Sequence, residues 1–252
     1  NILARCREDA LCNERFPDIE ATFARVVAEL REGPVQVSVP HPNTGRIEEL
    51  TFSDAQFGGA ERLLVYNANT IALLPLFVHD AGQGNYAPLA AQFMQIAISM
   101  TDALAIGMHN AVMCTEDMPF LESEAIDHDA IAASYMGPFQ LEMLEAMCDI
   151  WPAGPIDDDF KQPVATELPF LLLSGDADPI TPPRYAEMAA TELGHATHLI
   201  GRHQGHGQIT VGCMGRVVAK FVETGNALDL DTECLERSFV TPFFLDFAGP
   251  AP

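Results

Sequence analysis

The stretch LPFLLLSGDADPITPP, residues 168–183, decides the fold of this chain. Its apolar run, 168–173, predicts a short strand that is buried on both faces of a sheet. The residues that follow predict a helix over 182–193, a strand over 196–200 and a helix over 210–223. Strands that alternate with helices predict parallel pairing through crossover helices, so we expect an α/β fold. Two strands do not make a stable covered sheet, so this fold requires further strands.

Polar residues follow both predicted strands. Asp176 and Asp178 come directly after the first strand, and His206 lies in the glycine-flanked segment GRHQGHG, 201–207, after the second. Because functional groups collect at the carboxyl ends of parallel strands, we expect these loops to lie side by side. A carboxylate there would orient one imidazole nitrogen while the other takes a proton. The alternative is that either aspartate merely caps a turn.

Four histidines in this region raise the question of a metal site: His195, His198, His203 and His206. Residues three apart on a strand point to opposite faces, so His195 and His198 do not easily share an ion. We therefore predict no metal and no cofactor.

Residues 1–155 predict a mostly helical block with one small hairpin, and residues 156–252 predict the α/β part. The hairpin strands are expected at 35–39 and 47–52. Pro75 is expected to kink or restart a helix, and Gly137-Pro138 to break one. The helices are predicted over 1–33, 53–66, 69–79, 86–106 and 122–150.

The segment 107–120 differs from its neighbours and predicts a short strand or extended stretch that ends in acids. Glu116 and Asp117 are those acids. They fit a solvated loop, or a pair of carboxylates that binds a substrate ammonium group through charge-assisted hydrogen bonds.

Six cysteines are an even number and fall into three local pairs: Cys6 with Cys12, Cys114 with Cys148, and Cys213 with Cys234. This arrangement predicts three disulfides and an exported protein, although six cysteines allow about 15 connectivities. Six reduced, buried thiols in a cytosolic protein are the alternative. The sequence has no C-x-x-C motif, which argues against a zinc ribbon.

The 252 residues carry 36 acidic and 13 basic side chains, for a net charge of −23. Such a charge opposes binding to nucleic acid and to anionic membranes, so we predict neither partner. No apolar run approaches the ~20 residues of a membrane span. The chain opens at Asn1 without a signal-peptide pattern, which is compatible with a processed or truncated product.

The chain resembles the tripeptidyl-aminopeptidase-like branch of the α/β-hydrolases, which is related to the proline iminopeptidases. The resemblance covers essentially the whole chain. It is carried by PFLLLSGDADPITPP at 169–183, QGHG at 204–207, CTEDMPF at 114–120, Cys148 with Trp151-Pro152, and the cysteine-rich start from Cys6 to Asp18.

The resemblance implies serine-dependent cleavage at a free peptide N-terminus, or hydrolysis of esters and amides on the same scaffold. By motif position, Asp178 would be the triad acid and His206 the general base. Glu116, with Asp117 as the weaker candidate, would anchor the substrate amine. The helical block would be a cap inserted in the hydrolase domain.

The nucleophile of such an enzyme does not appear in this sequence. None of the serines is flanked by the glycines of a G-x-S-x-G elbow; they are Ser38, Ser53, Ser99, Ser123, Ser134, Ser174 and Ser238. We therefore expect an N-terminal half, in the same precursor or as a separate chain, to supply the serine and the oxyanion hole. The chain alone is predicted to be inactive, and its location secreted or periplasmic. A non-catalytic binding or assembly module that keeps a remnant hydrolase fold is the alternative.

Overall fold

The computed structural model describes residues 2–122, 125–237 and 240–250. Its first half is mostly helical around one hairpin. The elements there are α1 (Ile2–Glu8), α2 (Ala10–Arg15), α3 (Ile19–Glu32), β1 (Val35–Pro40), β2 (Ile47–Phe52), α4 (Asp54–Leu64), α5 (Ala68–Ile71), α6 (Leu74–Gly82), α7 (Ala87–Ala103) and α8 (Ile106–Val112).

The second half contains the parallel strands. After α8 come a π-helix (Met113–Asp117), a 3-10 helix (Met118–Phe120), α9 (His128–Ala133), α10 (Phe139–Cys148), β3 (Thr166–Gly175), α11 (Pro183–Ala190), β4 (Leu193–Gly201), α12 (Met214–Thr224) and a second 3-10 helix (Glu233–Arg237). The order β3, α11, β4, α12 is the predicted alternation of strands and helices.

β3 and β4 pair in parallel, as the alternation of strands and helices predicts, and the pairing extends to Gly175 opposite Gly201. Pro169 interrupts the start of the ladder, where the register shifts between Thr166 and Pro169. A proline has no N–H to donate, so a shift at this position is expected. Within the described residues this sheet has two strands, so β3 has one edge without a strand partner.

The chain divides into two compact units, each assembled from separate stretches of sequence. The first contains Asn1–Glu20, Arg62–His79 and Gln162–Pro252, and the second contains Ala21–Glu61 and Asp80–Lys161. The sequence predicts a single boundary after residue 155, whereas the stretches of the two units alternate along the chain. Whether the helical part acts as a cap stays a prediction.

The second unit contains the hairpin, with β1 and β2 antiparallel from Val35 opposite Phe52 to Pro40 opposite Ile47. Val37, Val39 and Phe52 are buried on the inner side of this hairpin. The chain's single tryptophan, Trp151, is half-buried in the same unit. Its ring lies so close to Gly107 that a Cβ on that glycine would meet the indole at 3.9 Å.

Helix boundaries follow the expected local signals in several places. At the start of α4, Ser53 N donates to Gln56 Oε1 at 3.0 Å, as in a capping box, while the Ser53 hydroxyl accepts from Ala55 N at 3.1 Å. The helix predicted over 69–79 is split into α5 and α6, and it restarts beside Pro75. Gly225 ends α12 in the left-handed conformation at φ +62°.

Two element predictions are wrong. The segment 107–120 is helical rather than extended: α8 continues into the π-helix and the first 3-10 helix. Its apolar run is too short for periodicity to separate strand from helix, and Cys114 is fixed to α10 by a disulfide. The helix predicted from residue 122 begins only at His128, because Asp127 caps α9 by accepting from Ala130 N at 2.9 Å.

All six cysteines form disulfides, in the three predicted pairs. Cys6–Cys12 lies within the first unit and joins α1 to α2. Cys114–Cys148 joins the π-helix to α10 in the second unit. Cys213–Cys234 ties the residue before α12 to the last 3-10 helix. Three disulfides are consistent with an oxidising, extracellular compartment.

None of the described helices combines by itself the length and the hydrophobicity that a membrane span requires. The segments Ala87–Thr101 and Ile106–Phe120 have that length and composition only when taken together, and they are bent by 84° relative to each other.

Candidate active site

The loops after β3 and β4 lie side by side in the first unit. Asp176 N donates to Gly201 O at 3.1 Å, and Ala177 N donates to Gln204 O at 3.0 Å. These bonds continue the sheet ladder beyond the last strand pair, so the segment after one strand is fixed to the segment after the other. The parallel pairing therefore places the acids and the histidine loop at one edge of the sheet, as expected from topology.

Asp178 and His206 meet directly. His206 Nδ1 lies 2.9 Å from Asp178 Oδ2, and the Asp178 side chain is 3% exposed against 38% for His206. The acid is thus shielded while the imidazole reaches solvent. This is the arrangement in which a carboxylate orients a histidine and stabilises its protonated form.

The carboxylate of Asp178 accepts three more hydrogen bonds from its own loop. Ile180 N and Thr181 N donate to Oδ1 at 2.8 and 3.0 Å, and the Thr181 hydroxyl donates to Oδ2 at 3.0 Å. Burial alone raises the pKa of the Asp178 carboxyl. The hydrogen bonds from Ile180, His206 and Thr181 outweigh burial, so the pKa lies below its ordinary value and the group is ionised at neutral pH.

Asp176, the other acid of the motif, has a different position. Its Oδ1 accepts from His203 N at 2.6 Å, and its Oδ2 lies 3.9 Å from His203 Nδ1. His203 has a left-handed backbone at φ +58°, a conformation that a non-glycine residue rarely adopts. Asp176 therefore holds the turn of the histidine loop, and the capping interpretation applies to this aspartate.

Close backbone contacts explain the glycines at 205 and 175, whereas Gly207 has open space around it and a left-handed backbone at φ +87°. A Cβ at Gly205 would lie 2.1 Å from Val65 O, and one at Gly175 would lie 2.2 Å from Gly205 O. Gln208 is buried, and its Nε2 donates to Gly205 O at 2.7 Å. Gly205 is therefore required for the histidine loop to pass between two backbone segments, with Gln208 holding it from one side.

Tyr66 is a neighbour of His206 that sequence reasoning missed. The two rings lie edge to face, with centroids 5.2 Å apart. A cavity of about 270 Å³ next to them is lined by both rings and by uncharged polar side chains, among them Asn67, Asn69, Thr210 and Thr241. Tyr66 is the last residue of the helix predicted over 53–66 and lies far from His206 in sequence, so no local signal could have identified it.

Glu116 and Asp117 lie in the π-helix of the second unit. Asp117 Oδ1 is 3.3 Å from Lys161 Nζ, and this pair is exposed. Among the described residues, none donates a hydrogen bond to the half-buried Glu116. Of the two acids, Glu116 is therefore the one whose charge has no basic partner in the described part of the chain.

No described serine bonds to His206. The hydroxyls of Ser38, Ser53, Ser99 and Ser134 each bond within their own hairpin, within their own helix or at a helix end. Ser174 is buried, and its Oγ lies 2.9 Å from Nε2 of a different histidine, His198. Ser123 and Ser238 lie outside the described residues.

The histidines do not form a metal site within the described ranges, where no group of three or more His, Cys, Asp or Glu side chains could hold an ion. His195 pairs instead with Glu167 at 3.8 Å, and His198 with Ser174. The prediction that the protein binds no metal remains untested.

Residues 133–234 match the model of the family described as TAP-like protein, within the α/β-hydrolases. The match covers both parallel strands, Asp178 and His206, and it confirms the resemblance found in the sequence over this part of the chain. No curated protein and no solved structure matches the chain.

Proposed function

Because residues 133–234 match the model of the TAP-like proteins of the α/β-hydrolases, we propose that this chain carries the acid and base of a serine hydrolase. The reaction we propose is release of single residues or short peptides from a free N-terminus. The observation that carries this proposal is the 2.9 Å contact between the shielded Asp178 carboxylate and His206 Nδ1.

The geometry supports a definite role for each nitrogen of His206. Nδ1 donates to Asp178, so the lone pair on Nε2 is available to take the proton of an attacking hydroxyl. The ionised carboxylate then stabilises the imidazolium. When the tetrahedral intermediate collapses, His206 returns the proton to the departing amine.

The nucleophile in this proposal comes from a further α/β segment, in the same precursor or in a separate chain, that adds strands to the sheet. The edge of β3 is the better docking position because this strand is almost continuously apolar, and Leu168 within it is 67% exposed. β4 carries His195, Thr197 and His198, and its Thr197 hydroxyl already bonds to Ala227 O. A long apolar strand at an open edge is otherwise an aggregation hazard.

Glu116 is our proposed anchor for the substrate ammonium. Its carboxylate has no basic partner among the described residues, whereas Asp117 is paired with Lys161. Charge-assisted hydrogen bonds from an ammonium to such a carboxylate are about twice as strong as neutral ones. An anchor of this kind would restrict the enzyme to free N-termini and would matter little for neutral esters.

Labelling with a fluorophosphonate probe tests the source of the nucleophile. We expect the 252-residue chain alone to remain unlabelled, and a preparation that includes the nucleophile segment to be labelled on that segment. Labelling of the isolated chain would contradict the proposal. The same preparation, resolved by intact mass, identifies any co-purifying chain.

Substitution of the base tests the chemistry. In the labelled preparation, we expect His206→Ala to lower turnover of a free-amine peptide by about 10³-fold or more while the circular dichroism spectrum stays unchanged. His109→Ala, an exposed histidine on α8, is the matched control and should keep full activity. Retained turnover in His206→Ala would exclude His206 as the base.

Substitution of the anchor tests the substrate class. Glu116→Gln should raise KM for free-amine peptides by about tenfold and leave a neutral ester nearly unaffected, because one charged contact is lost. Glu142→Gln on α10 is the control. Equal effects on both substrates would favour an esterase or amidase without an amine anchor.

The disulfides support a proposal for the cellular location. We propose a secreted or periplasmic protein, since three disulfides persist in oxidising compartments.

A further inference from the structure

Thr181 stands between the acid and the base of the proposed site. Its Oγ1 lies 3.0 Å from Asp178 Oδ2 and 3.3 Å from His206 Nδ1, and those two atoms lie 2.9 Å from each other. The three groups therefore form a closed triangle of hydrogen-bonding contacts. In the sequence, Thr181 is distinguished only by the proline that follows it.

The protons in this triangle can be assigned from the chemistry of the three groups. An ionised carboxylate only accepts, so Nδ1 of His206 must carry the proton that lies between it and Asp178. The hydroxyl of Thr181 has one proton, and Asp178 Oδ2 is the acceptor left for it within the triangle. Its lone pairs then face the Nδ1–H of His206. This tautomer satisfies all three groups and leaves the Nε2 lone pair free.

The hydroxyl acts on one carboxylate oxygen only. Asp178 Oδ1 already accepts from the backbone N–H groups of Ile180 and Thr181 at 2.8 and 3.0 Å. These two bonds orient the carboxylate without any side chain. The Thr181 hydroxyl is therefore not required to build the turn, and its effect is confined to Oδ2, the oxygen that faces the imidazole.

We propose that Thr181 is a positioning residue, whose hydroxyl fixes the Nδ1–H tautomer and the orientation of His206 through Asp178 Oδ2. This inference rests on the proposed roles of Asp178 and His206. In this proposal, Thr181 is a fourth member of the site, beside the acid, the base and the nucleophile. It acts without contacting the substrate.

The hydroxyl also contributes to the ionisation of the acid. Burial raises the pKa of Asp178, and the hydrogen bonds, including the one from the Thr181 hydroxyl, lower it. Removing that hydroxyl would therefore raise the pKa of Asp178 and leave Oδ2 with His206 as its remaining partner. It would also allow the imidazole a wider range of orientations.

The test compares Thr181→Val, which removes the hydroxyl at nearly constant shape, with Thr181→Ser, which keeps it. Both are made in the 252-residue chain and studied by NMR, so no nucleophile is needed. In Thr181→Val we expect the ¹³C titration of the Asp178 carboxyl to move to higher pH. We also expect the low-field Nδ1 proton of His206, assigned by its absence in His206→Ala, to broaden or disappear. Thr181→Ser should restore both signals.

Thr191→Val is the matched control. The Thr191 hydroxyl donates to Met188 O at 2.8 Å at the exposed end of α11, so its loss should leave both signals unchanged. Unchanged signals in Thr181→Val would overturn the proposal, as would failure of Thr181→Ser to restore them. If Thr181→Val and Thr181→Ala both fail to fold, the proposal is also wrong, since it makes the hydroxyl dispensable for the turn.

These results separate this inference from the proposed function. If no preparation is labelled by the fluorophosphonate probe but the Thr181 variants behave as expected, the hydrolase proposal fails and the positioning role of Thr181 stands. In a labelled preparation, Thr181→Val should lower kcat by about tenfold with little change in KM, because the hydroxyl acts on the base and not on substrate binding.

Discussion

A buried, ionised carboxylate is held in place at Asp178 by donors from two loops. The backbone N–H groups of Ile180 and Thr181, the Thr181 hydroxyl and His206 all point at it, and their combined effect exceeds the desolvation that burial imposes. The same contacts that orient His206 in the proposed site also stabilise the folded chain. The site and the stability of the first unit are therefore coupled through one side chain.

That coupling predicts that Asp178→Asn lowers the free energy of unfolding by an amount that depends on pH. Because the folded pKa of Asp178 is lowered, its carboxylate contributes stability that is fully present above the unfolded value, about 3.9, and is lost as pH falls through the folded value. At neutral pH we expect the substitution to lower the free energy of unfolding by about 1.5–3 kcal/mol. Urea unfolding from pH 7 down to pH 3 should show this difference shrinking.

The exposed Asp157 provides the comparison for this measurement. Asp157→Asn should change the free energy of unfolding by less than about 0.5 kcal/mol at every pH. If Asp178→Asn lowers the free energy of unfolding by the same amount down to pH 3, the loss of the carboxylate charge is not the cause of the destabilisation.

At the scale of elements, the sequence predicts what is local and misses what depends on distant contacts. The apolar run of β3 and its alternation with helices are local signals, and they place Asp178 and His206 at one sheet edge. Tyr66 reaches the imidazole only through tertiary packing, and Gln208 is used for a buried bond that no spacing reveals.

The π-helix at Met113–Asp117 is an element whose conformation also depends on contacts that are distant in sequence. Its few apolar residues fit a strand as well as a helix, so local periodicity could not decide. The disulfide to α10 and the bond from Gly154 N to the Thr115 hydroxyl, at 2.8 Å, fix this segment from elsewhere in the chain. The carboxylates of Glu116 and Asp117 are thus carried on a helical turn, where the extended alternative would have alternated them across a strand.

The disulfides differ in the length of chain that each one closes. This difference predicts a ranking of their contributions to the free energy of unfolding. Cys114–Cys148 spans 34 residues and Cys6–Cys12 spans 6. Loop-closure entropy then gives about 4 kcal/mol for the longer loop and about 2 kcal/mol for the shorter one. Double alanine variants of each pair, compared by urea unfolding, should follow this order. The reverse order would mean that contacts in the folded state, and not chain entropy, determine the effect.

At the scale of the whole molecule, charge is the dominant property. A net charge of −23 produces self-repulsion that opposes the compact state. Salt screens this repulsion, because the Debye length falls from about 30 Å at 0.01 M to about 3 Å at 1 M ionic strength. Exposed ion pairs such as that of Lys220 with Glu223 are worth little, so their loss in salt is a minor effect.

We therefore expect the thermal midpoint at pH 7 to rise with sodium chloride, by about 2–4 °C for each kcal/mol of repulsion that is relieved. The control is the same series near the isoelectric point of about 4.4, where net repulsion vanishes and the rise should disappear. A midpoint that is insensitive to salt at pH 7 would show that the acidic groups are too dispersed to repel one another.

The position of Trp151 decides what an optical experiment on this protein reports. It is the chain's sole indole, and it belongs to the second unit, against Gly107, whereas Asp178 and His206 belong to the first. Fluorescence excited in the indole absorption band therefore reports the unfolding of the second unit and does not report the unfolding of the first. A divergence between fluorescence and far-ultraviolet circular dichroism curves would reveal an intermediate with only one unit folded, and coincident curves would show that both units unfold in a single cooperative step.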